Sequence, residues 1–294
     1  MTKIITSDEE LRMYIPNAFR NNIPGASSLF EKILPFIIAS EEWVINEILG
    51  PEYIDYYCAE KYIMKEAQLV VALDAYKSAL PSLDVVVSHN GVGVVETNTL
   101  KPASKAKMDA LYSSLSENID TFICSLIKTL ARDEIWQDSY TGSLFTKYIF
   151  ENPSWVSKFP VPEGFHFRNV LGRYDYFRPL MRDMQERISR EWISPRVMDI
   201  ILNFKIKDIG ADEESKNDYL VILSMIRQAM AAAIVHNDSL FDPMFRMIRS
   251  PLESAVNTIN NNKKLSRIWA NSETGRLFRQ KSFANSKNSS AYWF

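Results

Sequence analysis

The stretch LFEKILPFIIASEEWVINEILGPEYIDYYC, residues 29–58, decides how the rest of the 294-residue chain is read. Leu29, Phe30, Ile33, Leu34, Ile37, Ile38, Val44, Ile45, Ile48 and Leu49 recur mostly at three- and four-residue spacing. That spacing puts them on one helical face, and Gly50-Pro51 ends the helix. A shift of 144 residues lays the stretch on RYDYFRPLMRDMQERISREWISPRVMDIIL, residues 173–202. Pro35 then falls on Pro179, Glu42 on Glu186, Glu47 on Glu191, Pro51 on Pro195 and Asp55 on Asp199, while Val44 meets Ile188. Five identities in thirty are close to what two amphipathic helices share by chance, whereas prolines matched at both ends are not. An internal duplication and a coincidence both stay open.

Working outward, TSDEELRMYI, residues 6–15, opens as a capped helix, with Thr6 or Ser7 as cap and Asp8, Glu9 and Glu10 at its positive end. Tyr53 to Ala79 reads as one or two helices before Pro81. Met108, Leu111, Leu115, Ile119, Phe122, Leu126 and Leu130 step by three and four in an eleven-residue repeat, so a long helix over 104–131 keeps its apolar stripe on one side. The proline- and aromatic-rich run FENPSWVSKFPVPEGF, residues 150–165, reads as an ordered connector. Helices resume over 177–203, break at KIKDIGADEESKND, continue over 219–236, and start again near Pro243. The expected fold is mainly α, a helical bundle with one β-hairpin insertion and an extended C-terminal arm. Its units are 1–149, with hairpin 82–97, and 150–294.

The hairpin comes from SLDVVVSHNGVGVVETNTLKPASKAKMDAL, residues 82–111, where two valine runs meet at Asn90-Gly91. A two-residue Asn-Gly loop in a type I′ turn sets His89 opposite Val92, Ser88 opposite Gly93, Val87 opposite Val94, Val86 opposite Val95 and Val85 opposite Glu96. Val85, Val87, Val92 and Val94 then share one face, with Val86 and Val95 on the other. A two-stranded ribbon with two apolar faces needs cover on both, either from its own helices or from a neighbouring subunit. The aromatics Tyr292, Trp293 and Phe294 pose the same alternative: folding back on the chain, or contact with another copy.

Composition supports a globular chain, with 46% hydrophobic residues and a net charge of −2. From residue 261 onward seven basic residues face Glu273 alone, which makes this region +6 and the remainder −8. Lys263, Lys264, Arg267, Arg276 and Arg279 could line a DNA channel or meet the acidic part of an adjacent subunit. Trp269, Leu277, Phe278 and Phe283 in the same region favour the subunit interface. Cys58 and Cys124 lack metal or redox spacing and read as small core residues of a chain kept reduced. His89, His166 and His236 have no second ligand at helical spacing, so no metal is expected. Asp208 to Asp218 lacks the spacing of a calcium loop, and neither a phosphate loop nor a nucleophile elbow occurs. Glu42 and Glu186 read as helix-surface residues rather than as paired catalytic carboxylates. No catalytic residue, cofactor or secretion signal is expected, and no window reaches the roughly 18 apolar residues of a membrane span.

The order EELRMYIPN, then LFEKILPFIIASEEWVINEILGPEYIDYY, then DVVVSHNGVGVVETNTLKPASKAKMDAL, and finally SAYWF resembles a family of virion neck (head-tail connector) structural proteins. That family belongs to tailed bacteriophages and prophages of the Bacteroidetes. The resemblance implies a helical adaptor in a ring, twelve-fold by analogy with connectors, contacting portal protein and other neck or tail proteins. It implies residence in the virion neck, with assembly in the host cytoplasm, and brings no catalytic residues. The competing expectation is a nucleic-acid-binding accessory protein acting through the basic region.

Overall fold

The computed structural model describes residues 4–15, 27–83, 85–88, 91–94, 104–207, 213–236 and 245–280, and it is mainly α-helical. Contacts divide it into two compact units. Unit one is Met1–Phe145, Asn152–Ser154 and His166–Arg173; unit two is Thr146–Glu151, Trp155–Phe165 and Tyr174–Phe294.

Unit one begins with α1 (Asp8–Tyr14), whose first turn is capped by the Ser7 hydroxyl accepting from the Glu10 amide. Helix α2 (Leu29–Val44) starts in a capping box between Ser28 and Glu31. One π-helical turn, Ile45–Leu49, closes it, and Gly50 at φ 93° turns the chain into Pro51. A 3₁₀ turn, Pro51–Tyr53, leads to α3 (Ile54–Ala59) and α4 (Lys61–Leu83). Helix α4 runs on through Pro81, where the sequence indicated a stop. A proline in the final turn forfeits one hydrogen bond at an end that is already open, so the helix tolerates it. Helix α5 (Lys105–Leu130) is about 40 Å long at 1.5 Å per residue. Its buried stripe is Leu115, Ile119, Ile123, Leu126, Ile127 and Leu130; the expected Phe122 is only half-buried beside it. Two short helices follow, α6 (Glu134–Asp138), capped by Asp133, and α7 (Tyr140–Thr146).

Helix α8 (Val170–Ile188) contributes to unit two from Tyr174 onward, followed by α9 (Pro195–Lys207) and α10 (Glu213–His236). Then come α11 (Phe245–Asn261), α12 (Lys263–Asn271), capped by Asn262, and α13 (Glu273–Gln280). Helix α10 starts at Glu213, inside the stretch KIKDIGADEESKND that the sequence marks as a break between helices. Its segment Ser215–Val235 is long and apolar enough by length and composition to cross a membrane, which the sequence reading had not found. It buries Tyr219, Ile222, Ile226 and Met230 completely, and its main packing partner is α11.

The 144-residue shift reappears in the backbone. A π turn at Ser189–Ile193 ends α8, Ser194 takes φ 75°, and Pro195 begins the next helix, each 144 residues after its counterpart in unit one. Buried positions coincide as well: Ile33 with Phe177, Ile37 with Met181, Val44 with Ile188, Leu49 with Ile193, Ile54 with Met198 and Tyr57 with Ile201.

Each π turn is finished by a tryptophan from the end of its own unit. The Trp136 indole N–H donates to Ile48 O at 2.7 Å, and the Trp269 indole to Trp192 O at 2.8 Å. The accepting carbonyls stand at a helix end, where intrahelical donors run out. Below each tryptophan the same corner is built. Ser139 Oγ donates to Trp136 O at 2.7 Å and accepts from Gly142 N at 2.8 Å; Ser272 Oγ donates to Trp269 O at 2.6 Å and accepts from Gly275 N at 3.0 Å. Phe145 lies 5.6 Å from Trp136, and Phe278 lies 5.6 Å from Trp269, ring to ring.

Between α4 and α5, β1 (Val85–Ser88) and β2 (Gly91–Val94) pair antiparallel. Val85 stands opposite Val94, Val86 opposite Gly93, Val87 opposite Val92 and Ser88 opposite Gly91. The register differs by two residues from the one written from the Asn-Gly turn. Strand side chains alternate with period two, so a two-residue slip preserves the hydrophobic alternation and the valine pattern alone cannot choose. Val95 and Glu96 lie outside the described residues.

The corner leaves no room for a side chain at its glycines. A Cβ on Gly142 would stand 1.7 Å from Trp136 O, and one on Gly275 2.1 Å from Trp269 O, whereas one on Gly172 meets nothing closer than 4.0 Å. Gly142→Ala and Gly275→Ala are each expected to cost about 3 kcal/mol or more in chemical denaturation. Gly172→Ala, in the first turn of α8, is expected to stabilise by about 0.5 kcal/mol.

Candidate functional site

The most elaborate polar arrangement surrounds Thr146–Glu151, the irregular piece of chain at and beyond the last residue of α7, which belongs to unit two. Backbone outside helix and sheet must find its partners elsewhere. Here five consecutive carbonyls are taken by side chains. Lys205 Nζ donates to Thr146 O (3.3 Å) and to Tyr148 O, and Gln185 Nε2 donates to Lys147 O at 2.9 Å. Arg227 Nε donates to Ile149 O at 3.3 Å, and the Tyr174 hydroxyl to Phe150 O at 2.8 Å. The Ile149 N–H donates to Gln185 Oε1 at 2.8 Å. Glu151 binds Arg227 through both oxygens, at 3.0 and 2.8 Å, and stands 3.6 Å from Lys205. Arg227 also lies over the Trp155 ring, 4.6 Å from its centroid. Ile149 and Phe150 are fully buried, so the segment is a hydrophobic plug held by its backbone.

Unit one repeats the device on a smaller scale. The Ile4 N–H donates to Glu41 Oε2 at 3.1 Å, and Ile4 O accepts from Gln68 Nε2 at 2.9 Å. Glu41 precedes Gln185 by 144 residues and does the same work. Ile4 and Ile5 are fully buried. In both units a helix side chain takes the amide of the entering segment, and a second helix takes its carbonyl. This geometry holds irregular, non-helical polypeptide by its backbone.

Several other buried polar groups pair within unit one. Asp74, 2% exposed, accepts from Ser40 Oγ at 2.6 Å and pairs with Arg168, whose guanidinium lies over Trp43. Asp120 accepts from the Val170 amide at 2.7 Å; burial still raises its pKa above the usual carboxylate value. Burial, with the Asp120 charge adding to it, pushes the Cys124 thiol up to about 12, which keeps it protonated. Cys58, expected in the core, is exposed: it follows the buried Tyr57 on the outer side of the short α3. Among the described residues no group of three or more His, Cys, Asp or Glu is placed to hold a metal. Glu42 and Glu186 are both exposed, and Glu186 pairs with Arg190 at 3.3 Å.

The structure distributes the expected interface residues unevenly. Val85, Val86, Val87, Val92 and Val94 lie in the paired strands. Tyr292, Trp293 and Phe294 lie outside the described residues, as does the side chain of Arg279. Lys263 and Lys264 are exposed on the first turn of α12, and Arg267 and Arg276 are exposed further along. Two of the aromatic residues that favoured a subunit interface in this region are used internally. Trp269 is 3% exposed, and Phe278 packs against both Trp192 and Trp269, whereas Leu277, at 49%, stays open and Phe283 lies outside the described residues. Trp269 and Phe278 serve the corner beneath the π turn.

That corner was legible at a different offset. A shift of 133 lays WQDSYTGSLFTKYIF (136–150) on WANSETGRLFRQKSF (269–283), with seven identities in fifteen. A single fixed shift of 144 misses it because the connection between α4 and α5, which carries the hairpin, is longer than that between α10 and α11.

Compared with known proteins, residues 22–145 match a family described as "Family of unknown function (DUF6712)". The matched span ends at Phe145, the last residue of the corner in unit one. No curated protein and no solved structure matches the chain.

Burial brings the Lys205 ammonium down to about 8, against the opposing pull of Glu151. A folded-state value below the unfolded one means that the unfolded chain binds more protons between about pH 8 and 10.5, so stability rises with pH across that window and falls as pH drops through 8. Comparing urea unfolding of the wild type with Lys205→Met at pH 7.5 and 10 (roughly the two ends of the window) is expected to show the wild type gaining on the order of 2 kcal/mol relative to the variant.

Proposed function

We propose that the chain is a structural head-tail connector protein of a tailed bacteriophage, an adaptor that joins portal to tail components through contacts between like subunits in a ring. The observation that carries this reading is the capture of Thr146–Phe150, in which five successive backbone carbonyls are held by side chains from three helices. Such a device suits a protein whose work is to receive non-helical segments, its own or a neighbour's. The resemblance in sequence order points the same way. We read the two units as an internal duplication, supported by the repeated π turn, positive φ, proline and tryptophan corner.

The hairpin is the second element suited to assembly. Two paired strands inserted between α4 and α5 form a sheet whose outer edges have no strand partner among the described residues. Edges of this kind accept a strand from another chain. In this reading Val85, Val86, Val87, Val92, Val94 and Val95 form one contact between copies, and Tyr292, Trp293 and Phe294 another. The protein acts in the virion neck, assembles in the host cytoplasm and performs no catalysis.

One observation favours a nucleic-acid-binding role as the second reading. Arg196 and Arg267 line a hollow of about 450 Å³ with Ser194, Asn271 and Ser272, near the exposed Lys263 and Lys264 of the same short helix as Arg267. Cations grouped in this way attract phosphate without reading sequence.

Purified protein added to portal rings is expected to decorate one face of them saturably, with one copy per portal subunit seen by electron microscopy. Absence of decoration, together with a duplex-DNA mobility shift that weakens steeply with salt, contradicts the connector reading and supports the second.

A further inference from the structure

Unit two carries a groove of about 310 Å³ beside its captured segment. Phe150, Trp155 and Phe159 form one wall, and Leu220, Leu223 and Arg227 of α10 form the other. Leu220 is 54% exposed and Trp155 40% exposed, so large apolar surface meets solvent on both sides. We propose that this groove receives residues 281–294 of a second copy of the chain, with Tyr292, Trp293 and Phe294 as the anchoring side chains. The proposal deepens, and rests on, the reading of the protein as one that assembles with itself.

The first argument comes from comparing the two units. In unit one the helix that takes the entering carbonyl, α4, also carries α1 against it. Leu11 and Ile15 of that stretch are buried, and the Tyr14 hydroxyl donates to Gln68 Oε1 at 2.7 Å. Gln68 is the same residue that holds Ile4 O. In unit two Arg227 takes the corresponding role, but the chain that runs on from Ile149-Phe150 forms only a 3₁₀ turn, Pro153–Val156. The α10 surface beside Arg227 is left as the groove. A short segment with spaced apolar residues is what covers such a surface in unit one.

The second argument identifies the segment. After the corner ending in Phe145, the chain passes in sequence from unit one into unit two, and Ile149 and Phe150 are captured there. The same corner ends in Phe278, and the aligned run continues to Phe283, which falls on Phe150. The chain beyond α13 is therefore the repeat's outgoing piece, and repeat logic sends it to a unit other than the one it leaves. Residues 281–294 span up to about 45 Å when extended and carry four aromatics, Phe283, Tyr292, Trp293 and Phe294. Aromatic side chains suit a groove walled by Phe150, Trp155 and Phe159, where edge-to-face contacts are available.

The test uses two variants of the whole chain: one lacking residues 281–294, which keeps the groove, and Leu220→Glu, which keeps the arm and places a charge on an exposed groove position. A fluorescent peptide of residues 281–294 is expected to bind the truncated protein saturably, and at least tenfold more weakly once Leu220→Glu is added to it. Equal binding to both, or none, overturns the proposal. Mixing the truncated chain with full-length Leu220→Glu is expected to give a 1:1 heterodimer by light scattering, since one supplies only a groove and the other only an arm. If instead the peptide binds but the mixture stays monomeric, the arm serves its own chain and the second-copy assignment fails. Loss of peptide binding with portal decoration intact removes this inference alone. Peptide binding without portal decoration removes the connector reading and leaves the groove assignment standing.

Discussion

The fold depends on a hydrogen bond from a tryptophan indole to the last carbonyls of a π turn, made once in each unit. A π turn widens the helix and leaves its final carbonyls pointing away from any intrahelical donor. Buried without a partner, such a carbonyl costs about 1–3 kcal/mol. Trp136 and Trp269 reach Ile48 and Trp192 across 88 and 77 residues of chain, so the bond ties the last helices of a unit to its first. The indole brings a large apolar surface with it, which is why one residue type satisfies both requirements. The glycine of each T-G-x-L-F run follows from the same constraint, because the next helix must start in contact with the tryptophan's own carbonyl. Gly50 and Ser194 follow as well. The chain leaves the π turn at positive φ in both units, which glycine adopts without strain and serine does not.

The captured segments are the second consequence. A unit closed at its far end by a tryptophan corner still has an opening between its first long helix and the helix that clamps the carbonyl. Ile4-Ile5 and Ile149-Phe150 fill it, each contributing on the order of 1.5–3 kcal/mol per fully buried side chain. Because the filler lies outside helix and sheet among the described residues, its polar groups call for Glu41, Gln68, Gln185, Lys205 and Arg227 in places where apolar residues would otherwise stand. Buried charge appears here for backbone satisfaction, with Glu151 balancing Lys205 and Arg227. The proposed assembly between copies would extend the same principle, with a unit that holds a segment from outside its own helices receiving one from another molecule.

Much of the helical framework was readable from residue spacing, because apolar periodicity and capping residues such as Ser7, Ser28 and Asp133 act locally. The matched pairs Pro35–Pro179 and Pro51–Pro195 reported a true repeat of backbone geometry, although only five of thirty residues agreed. The π turns left no local mark, since their residues carry ordinary helical preferences and only the later tryptophan explains them. The stronger repeat, ending in T-G-x-L-F, was hidden by a change of offset across the hairpin connection. Hairpin register escaped for a different reason, the two-residue degeneracy of strand alternation. Trp269 and Phe278 were misassigned to an interface because apolar spacing on a short helix does not say which surface the helix meets. The capturing side chains were unreadable in principle: Gln185 and Arg227 look like surface residues until the segment they hold is in place.

In the proposed duplication each unit is closed by an incoming non-helical segment. Amide hydrogen exchange at Ile4 and Ile149 tests it most directly, since each amide is bonded only to a side chain of a distant helix, Glu41 or Gln185. The account expects both amides to exchange as slowly as the buried centres of α2 and α8, with Glu41→Ala and Gln185→Ala each releasing only the amide in its own unit. Exchange of either amide within seconds, at the rate of an exposed loop, would contradict it.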